Sequence, residues 1–225
     1  DPEDELNLAE FDDIPIPLGS KLDKKESIII SKRNGWLGRL TFNTSQTQIT
    51  VFDFFRNELP KFGWKKLSEI SSETVSVPVD GGSIDCRILK PVGKANSVMV
   101  YYHGGGWVFG NIDDYDGLGR HIAQRCNAVV VLVNYRKAPE YKFPVPVNDC
   151  YAALNWVDEN IEKLAGARLP IIVCGDSAGG NLSAVVAQKS AREHGPKVDL
   201  QILLYPVTDG RMNSAGWKDD ARELF

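Results

Sequence analysis

Gly175-Asp176-Ser177-Ala178-Gly179-Gly180-Asn181 is the stretch whose reading decides the fold. Before it runs Leu169-Pro170-Ile171-Ile172-Val173-Cys174, an apolar segment of strand length, and after it Leu182-Ser183-Ala184-Val185-Val186-Ala187 continues as a helix. Strand, sharp turn, helix is the context that a G-x-S-x-G nucleophile elbow requires. Gly175 and Gly179 let the backbone pass close to itself, which holds Ser177 on a strained turn with its hydroxyl exposed. The first N–H groups of the following helix face the same spot and favour any anion formed there. The competing reading is an N-cap serine in the glycine-rich turn of some other α/β protein.

A second glycine motif favours the elbow. Ser97-Val98-Met99-Val100-Tyr101-Tyr102 reads as a buried strand and leads straight into His103-Gly104-Gly105-Gly106-Trp107. Three consecutive glycines offer no side chain to pack, so their use is close backbone approach and N–H groups aimed into a cleft. An acyl-transfer transition state needs about two such donors for the oxygen that becomes negative, each worth roughly 3–4 kcal/mol of barrier. A phosphate-binding loop fits poorly, because neither G-x-x-x-x-G-K-[ST] nor a helix-opening G-x-G-x-x-G occurs.

Working outward, the segments alternate. Asp113 to Cys126 reads as a helix, Ala128 to Val133 as an apolar strand, Pro146 to Leu164 as a long helix and Val198 to Tyr205 as a further strand. Glu73 to Val79 and Ile84 to Leu89 form a hairpin around Asp80-Gly81-Gly82. This is the grammar of an α/β fold with a mainly parallel sheet covered by helices on both faces. Sites on such sheets lie at the carboxyl ends of the strands, where both glycine motifs sit.

Residues 1–72 are written differently. After an acidic start with Ile14-Pro15-Ile16-Pro17, Ser27 to Ile30 and Gly38 to Phe42 read as strands around Asn34-Gly35. Thr50 to Pro60 carries apolar residues at helical spacing, and Lys65 to Ile70 reads as another strand. We expect a small N-terminal α+β unit or cap-like extension over 1–72, and an α/β core over 73–225.

Composition narrows the function classes. A net charge of −4 with 26 basic and 30 acidic residues argues against general nucleic-acid binding, and no apolar run is long enough for a membrane span. Cys86, Cys126, Cys150 and Cys174 are scattered without C-x-x-C spacing, and the three histidines are not clustered with them. A metal site is therefore not expected, and neither is a disulfide framework. A reducing, cytoplasmic location is the expectation.

His103 to Trp107, Asn134-Tyr135-Arg136 with Ala138-Pro139-Glu140, Phe143-Pro144, Asp149, Gly175 to Asn181 and Leu204 to Asp209 together resemble the hormone-sensitive-lipase family of α/β-hydrolases, over roughly residues 73–210. The resemblance implies an α/β-hydrolase fold and carboxylesterase chemistry on small or medium acyl esters, with no cofactor. It implies that Ser177 is the nucleophile and that the N–H groups of Gly105, Gly106 and Ala178 form the oxyanion hole. His103, Gly104 and Asp176 would support the two motifs, and Arg136, Glu140 and Asp149 would form a structural polar network. Trp107 and Phe109 are candidates either to line an acyl pocket or to pack beneath a cap. Asp209 is expected to stabilise its loop.

In the resembled family the triad acid and histidine follow further strands, beyond the point where this sequence stops. We therefore expect a C-terminally incomplete core, inactive by itself, with an apolar sheet edge open to self-association. The histidines present are poor substitutes. His194 lies along a helix about 25 Å from Ser177, His121 sits part-way down another helix, and His103 has a structural place in its motif. Two alternatives stay open: a catalytically silent relative that binds a small acyl or carboxylate ligand, and an N-terminal binding module fused to an esterase fragment.

Overall fold

The computed structural model describes residues 14–23, 25–32, 35–64 and 70–210. The chain divides into two units, Asp1–Lys66 and Leu67–Phe225.

In the first unit β1 (Lys21–Leu22), β2 (Ile28–Lys32), β3 (Gly35–Arg39) and β4 (Phe42–Asn43) precede α1 (Gln48–Glu58). β2 pairs antiparallel with β3, and β1 with β4. The strand expected over 38–42 is broken in two. Thr41 donates its N–H to Ser27 Oγ and its hydroxyl to the Glu26 carbonyl, so it leaves the ladder between β3 and β4. Thr47 caps α1 by accepting from Thr50 N. A 3₁₀ turn over Leu59–Phe62 follows, because Pro60 cannot donate to the α-helical ladder, and Gly63 closes it at φ 84°. The strand expected over 65–70 lies, apart from Ile70, outside the described residues.

The second unit contains β5 (Ser71–Val79), β6 (Gly82–Lys90), β7 (Ser97–Tyr102), α2 (Asp116–Cys126), β8 (Ala128–Val133), α3 (Val145–Ala165), β9 (Ile171–Asp176), α4 (Ala178–Arg192) and β10 (Leu200–Leu204). Among the described residues these strands form one six-stranded sheet in the order β10-β9-β7-β8-β6-β5. The pairings among β10, β9, β7 and β8 are parallel, and the β8–β6 and β6–β5 pairings are antiparallel. α2 starts three residues later than expected, since Asn111 Oδ1 accepts from the N–H groups of Asp113 and Asp114 and holds that stretch in a turn.

The central strands are apolar throughout because both faces of the sheet are covered. Val98, Val100 and Tyr102 of β7 and Val129, Val131 and Val133 of β8 point into one core with Cys150, Leu154, Val157 and Ile161 of α3 and Leu182 and Val186 of α4. The alternate residues Met99, Tyr101, Val130 and Leu132 face the other side, with Ala123 of α2. Alternation sorts one run of residues into two cores, each fully buried large side chain contributing about 1.5–3 kcal/mol.

Register then places the site. Tyr102, the last residue of β7, lies beside Gly175 of β9. The chain leaves the carboxyl ends of two adjacent parallel strands into the two glycine motifs. β10 is shorter than expected because Asp199 closes a loop on Ile171 through N–H to carbonyl (2.8 Å) and N–H to carboxylate (3.0 Å) contacts. It forms the outer edge of the sheet among the described residues, and Leu200 is 51% exposed.

Candidate active site

Ser177 stands between β9 and α4 at φ 51° and ψ −115°. A non-glycine residue there is strained by roughly 1–3 kcal/mol and persists only where its surroundings dictate it. Several contacts do so. Ser177 donates its N–H to the Leu204 carbonyl at 2.9 Å, and its own carbonyl accepts from Val207 N and Asn181 N, both at 3.1 Å. Asn181 Nδ2 reaches the Val207 carbonyl at 2.8 Å, so the loop after β10 braces the turn from outside. The glycines respond to crowding. A Cβ on Gly179 would lie 1.9 Å from the Tyr102 carbonyl oxygen, and one on Gly175 would lie 2.4 Å from Gly179. Ser177 itself remains partly exposed.

Asp176, 8% exposed, joins the elbow to the other loop. Its Oδ1 accepts from Gly104 N at 3.0 Å and from the Tyr101 hydroxyl at 2.9 Å, while its Oδ2 accepts from the Tyr115 hydroxyl at 3.0 Å. Gly104 has no room for a side chain, since a Cβ would meet Asp176 Oδ2 at 2.3 Å. Burial, then the charge of Asp176, pushes the hydroxyls of Tyr101 and Tyr115 well above the ordinary phenol range, so both stay protonated donors.

His103 is 2% exposed and stacked on Tyr135 at 4.3 Å between ring centroids. Its Nδ1 lies 2.7 Å from the Gly104 carbonyl, which assigns the proton to Nδ1, and its Nε2 has no partner among the described residues. Desolvation lowers its pKa to about 4, so the ring is neutral. The Tyr135 hydroxyl donates to the His103 carbonyl at 2.8 Å. The motif is thus bound on both sides before the three glycines turn. Gly105 (φ 109°) and Gly106 (φ 60°) complete the turn, and the Gly105 carbonyl accepts from Val108 N and Phe109 N. Among the described residues the N–H groups of Gly105, Gly106 and Ala178 donate to no protein acceptor, whereas that of Gly104 is shared between Asp176 Oδ1 and the Tyr115 hydroxyl.

Beside Gly106 and Asn181 opens a cavity of about 360 Å³, walled by Trp107, Ala138, Tyr141, Phe143 and the helix residues Pro146, Val147 and Val185. Trp107 lines it, while Phe109 does not and is 75% exposed. Arg136 holds one wall. Its Nη2 meets Asp149 Oδ1 at 2.7 Å, its Nε and backbone N–H meet Asp149 Oδ2 at 2.9 and 3.0 Å, and its guanidinium lies over the Tyr141 ring at 4.9 Å. Glu140 is exposed and makes none of these bonds.

Sequence reading missed Tyr101, Tyr115 and Tyr135, whose hydroxyls bind the motif residues. A tyrosine ending an apolar strand does carry a weak signal, because its buried hydroxyl must find a partner. The other two histidines stand apart: His121 is exposed on α2, and His194 lies past the far end of α4 at φ 54°. Among the described residues no cluster of three or more His, Cys, Asp or Glu is placed to hold a metal ion, and no helix is long and apolar enough to cross a membrane.

The chain is similar to several known proteins. A family model for the alpha/beta hydrolase fold matches residues 99–224. Carboxylesterase NlhH of Mycobacterium tuberculosis is 42% identical over 158 residues, covering 69% of this chain and 50% of that protein. Arylacetamide deacetylase of Bos taurus is 44% identical over 133 residues, 55% of this chain and 33% of that protein. The crystal structure of EstE1, a thermophilic carboxylesterase cloned from a metagenomic library, superposes with a TM-score of 0.64 at 41% identity, over 69% of this chain and 53% of that one. The chain spans about half the length of the NlhH that it matches. With the serine elbow, the triple-glycine loop and the sheet between them all accounted for, the chain belongs to the α/β-hydrolase family, in its hormone-sensitive-lipase-like branch.

Proposed function

We propose that the protein is a serine carboxylic-ester hydrolase acting on small or medium acyl esters through an acyl-enzyme. The observation that carries this is Ser177, partly exposed at φ 51° between a parallel strand and a helix, at the same sheet end as three backbone N–H groups that have no protein acceptor among the described residues. Ser177 Oγ attacks the ester carbonyl carbon and loses its proton to a base. The carbonyl oxygen becomes negative and is held by the N–H groups of Gly105, Gly106 and Ala178. Collapse expels the alcohol, which takes the proton, and water then releases the acid by the same route. The cavity beside Gly106 has no charged wall and suits an uncharged apolar group. Similarity to the carboxylesterases NlhH and EstE1 supports the same class.

The reading requires a histidine base and an acid to orient it. His103 is committed to Gly104, and His121 and His194 stand away from the elbow. In this reading both groups come from segments that follow β10. The test uses the protein expressed from its complete natural coding sequence. Ser177→Ala should lower hydrolysis of a short-chain nitrophenyl ester on the order of 10⁶-fold. Retention of more than a small fraction of activity would overturn the nucleophile assignment.

A further inference from the structure

We propose that Tyr115 is a positioning residue for the oxyanion loop: its hydroxyl, 3.0 Å from Asp176 Oδ2 and 3.1 Å from Gly104 N, clamps the loop to the elbow. The proposal rests on the reading of Ser177 as nucleophile.

The two oxygens of Asp176 are not equivalent. Oδ1 has two donors, Tyr101 and Gly104, whereas Oδ2 has Tyr115 as its one donor among the described residues. A buried carboxylate without a cation holds its orientation through such donors, so losing the Tyr115 hydroxyl leaves Oδ2 unpaired. The carboxylate is then free to turn, and Gly104 N–H loses both of its acceptors' fixed geometry. Gly104 is the residue before Gly105, so any play in it passes directly to the N–H groups that would meet the oxyanion.

Tyr115 belongs to neither glycine motif. It stands just before α2, and its ring lies 5.8 Å from that of Tyr101 and 5.5 Å from that of His103. It therefore ties a third segment to the two loops. Phenylalanine preserves the ring contacts and removes only the hydroxyl, which separates positioning from packing.

The experiment compares Tyr115→Phe with wild type, both expressed from the complete natural coding sequence, with active sites titrated by a fluorophosphonate. We expect kcat per titrated site to fall about tenfold with KM within about twofold, since the lost contact is felt where transition-state charge develops. Affinity for a trifluoromethyl ketone, which forms a tetrahedral adduct, should fall by a similar factor. A merely structural tyrosine would lower the melting temperature and leave kcat per titrated site and ketone affinity unchanged, which overturns the proposal. If wild type itself neither reacts with the phosphonate nor turns over ester, the Ser177 reading falls and takes this one with it. If wild type reacts and Tyr115→Phe matches it, the Tyr115 proposal falls alone.

Discussion

The two loops at the site are shaped by the same forces in different proportion. The elbow at 175–181 is held by steric exclusion: Gly179 lies so close to the end of β7 that a single added carbon would fall 1.9 Å from a carbonyl oxygen. The loop at 103–110 is open at its tip, where a Cβ on Gly106 would meet nothing within 4 Å, and is held at its root by polar groups from elsewhere. Those groups are Asp176 on β9, Tyr115 before α2 and Tyr135 after β8. Close packing leaves the elbow little freedom, and the hydrogen bonds from the loop after β10 complete its fixing. The glycine loop is crowded at Gly104 and Gly105 as well, but its root also depends on hydrogen bonds that converge from three segments, and each of them can be weakened separately.

The contrast predicts unequal responses to the same change. Gly179→Ala should cost more than about 4 kcal/mol, enough to prevent folding, because backbone must move to admit the methyl group. A cooperative urea transition within 1 M of wild type would break the steric account of the elbow.

The polar root of the other loop should show itself in acid. The pKa of His103 is lowered to about 4, below its unfolded value, so the unfolded chain binds the proton first as pH falls. Stability is therefore unaffected by this group above about pH 7 and declines as pH drops from about 6.5 to 4, by about 3 kcal/mol in all. Urea midpoints across that range for wild type and His103→Asn should diverge, with the variant lacking this component of the decline. Parallel curves would mean that the ring is not buried as a neutral group.

The smallest effect belongs to the open tip. Gly106→Ala meets no atom and carries only the left-handed backbone penalty at φ 60°, about 1–2 kcal/mol. A loss as large as that for Gly179→Ala would show that the two loops are held alike, and the distinction drawn between them would collapse.

These forces also explain which parts were legible in the chain. The elbow could be read from Gly175, Ser177 and Gly179 because the close approach of Gly175 to Gly179, four positions apart, writes itself as small side chains at fixed spacing, although the contact of Gly179 with Tyr102 does not. The strands from Ser97 to Tyr102 and from Ala128 to Val133 could be read because a sheet covered on both faces needs unbroken apolar runs. Element ends were less accurate where a side chain competed with the ladder, as Asn111 does before α2 and Thr41 between β3 and β4. Glu140 was misplaced because its neighbours in sequence, Arg136 and Asp149, complete their contact without it.

What the sequence by itself determined is the order of strand, loop and helix, the serine at the turn and the glycines that permit it. Those are local matters of periodicity and room. What only the tertiary structure decided is which donors serve Asp176, why Gly104 spends its N–H on that carboxylate while Gly105 and Gly106 keep theirs, and that Trp107 and Tyr141 enclose a cavity while Phe109 does not. Tyr101, Tyr115 and Asp176 come together only after β7 and β9 align in parallel. No spacing along the chain records that meeting, because a hydrogen bond between distant residues depends on their separation in space.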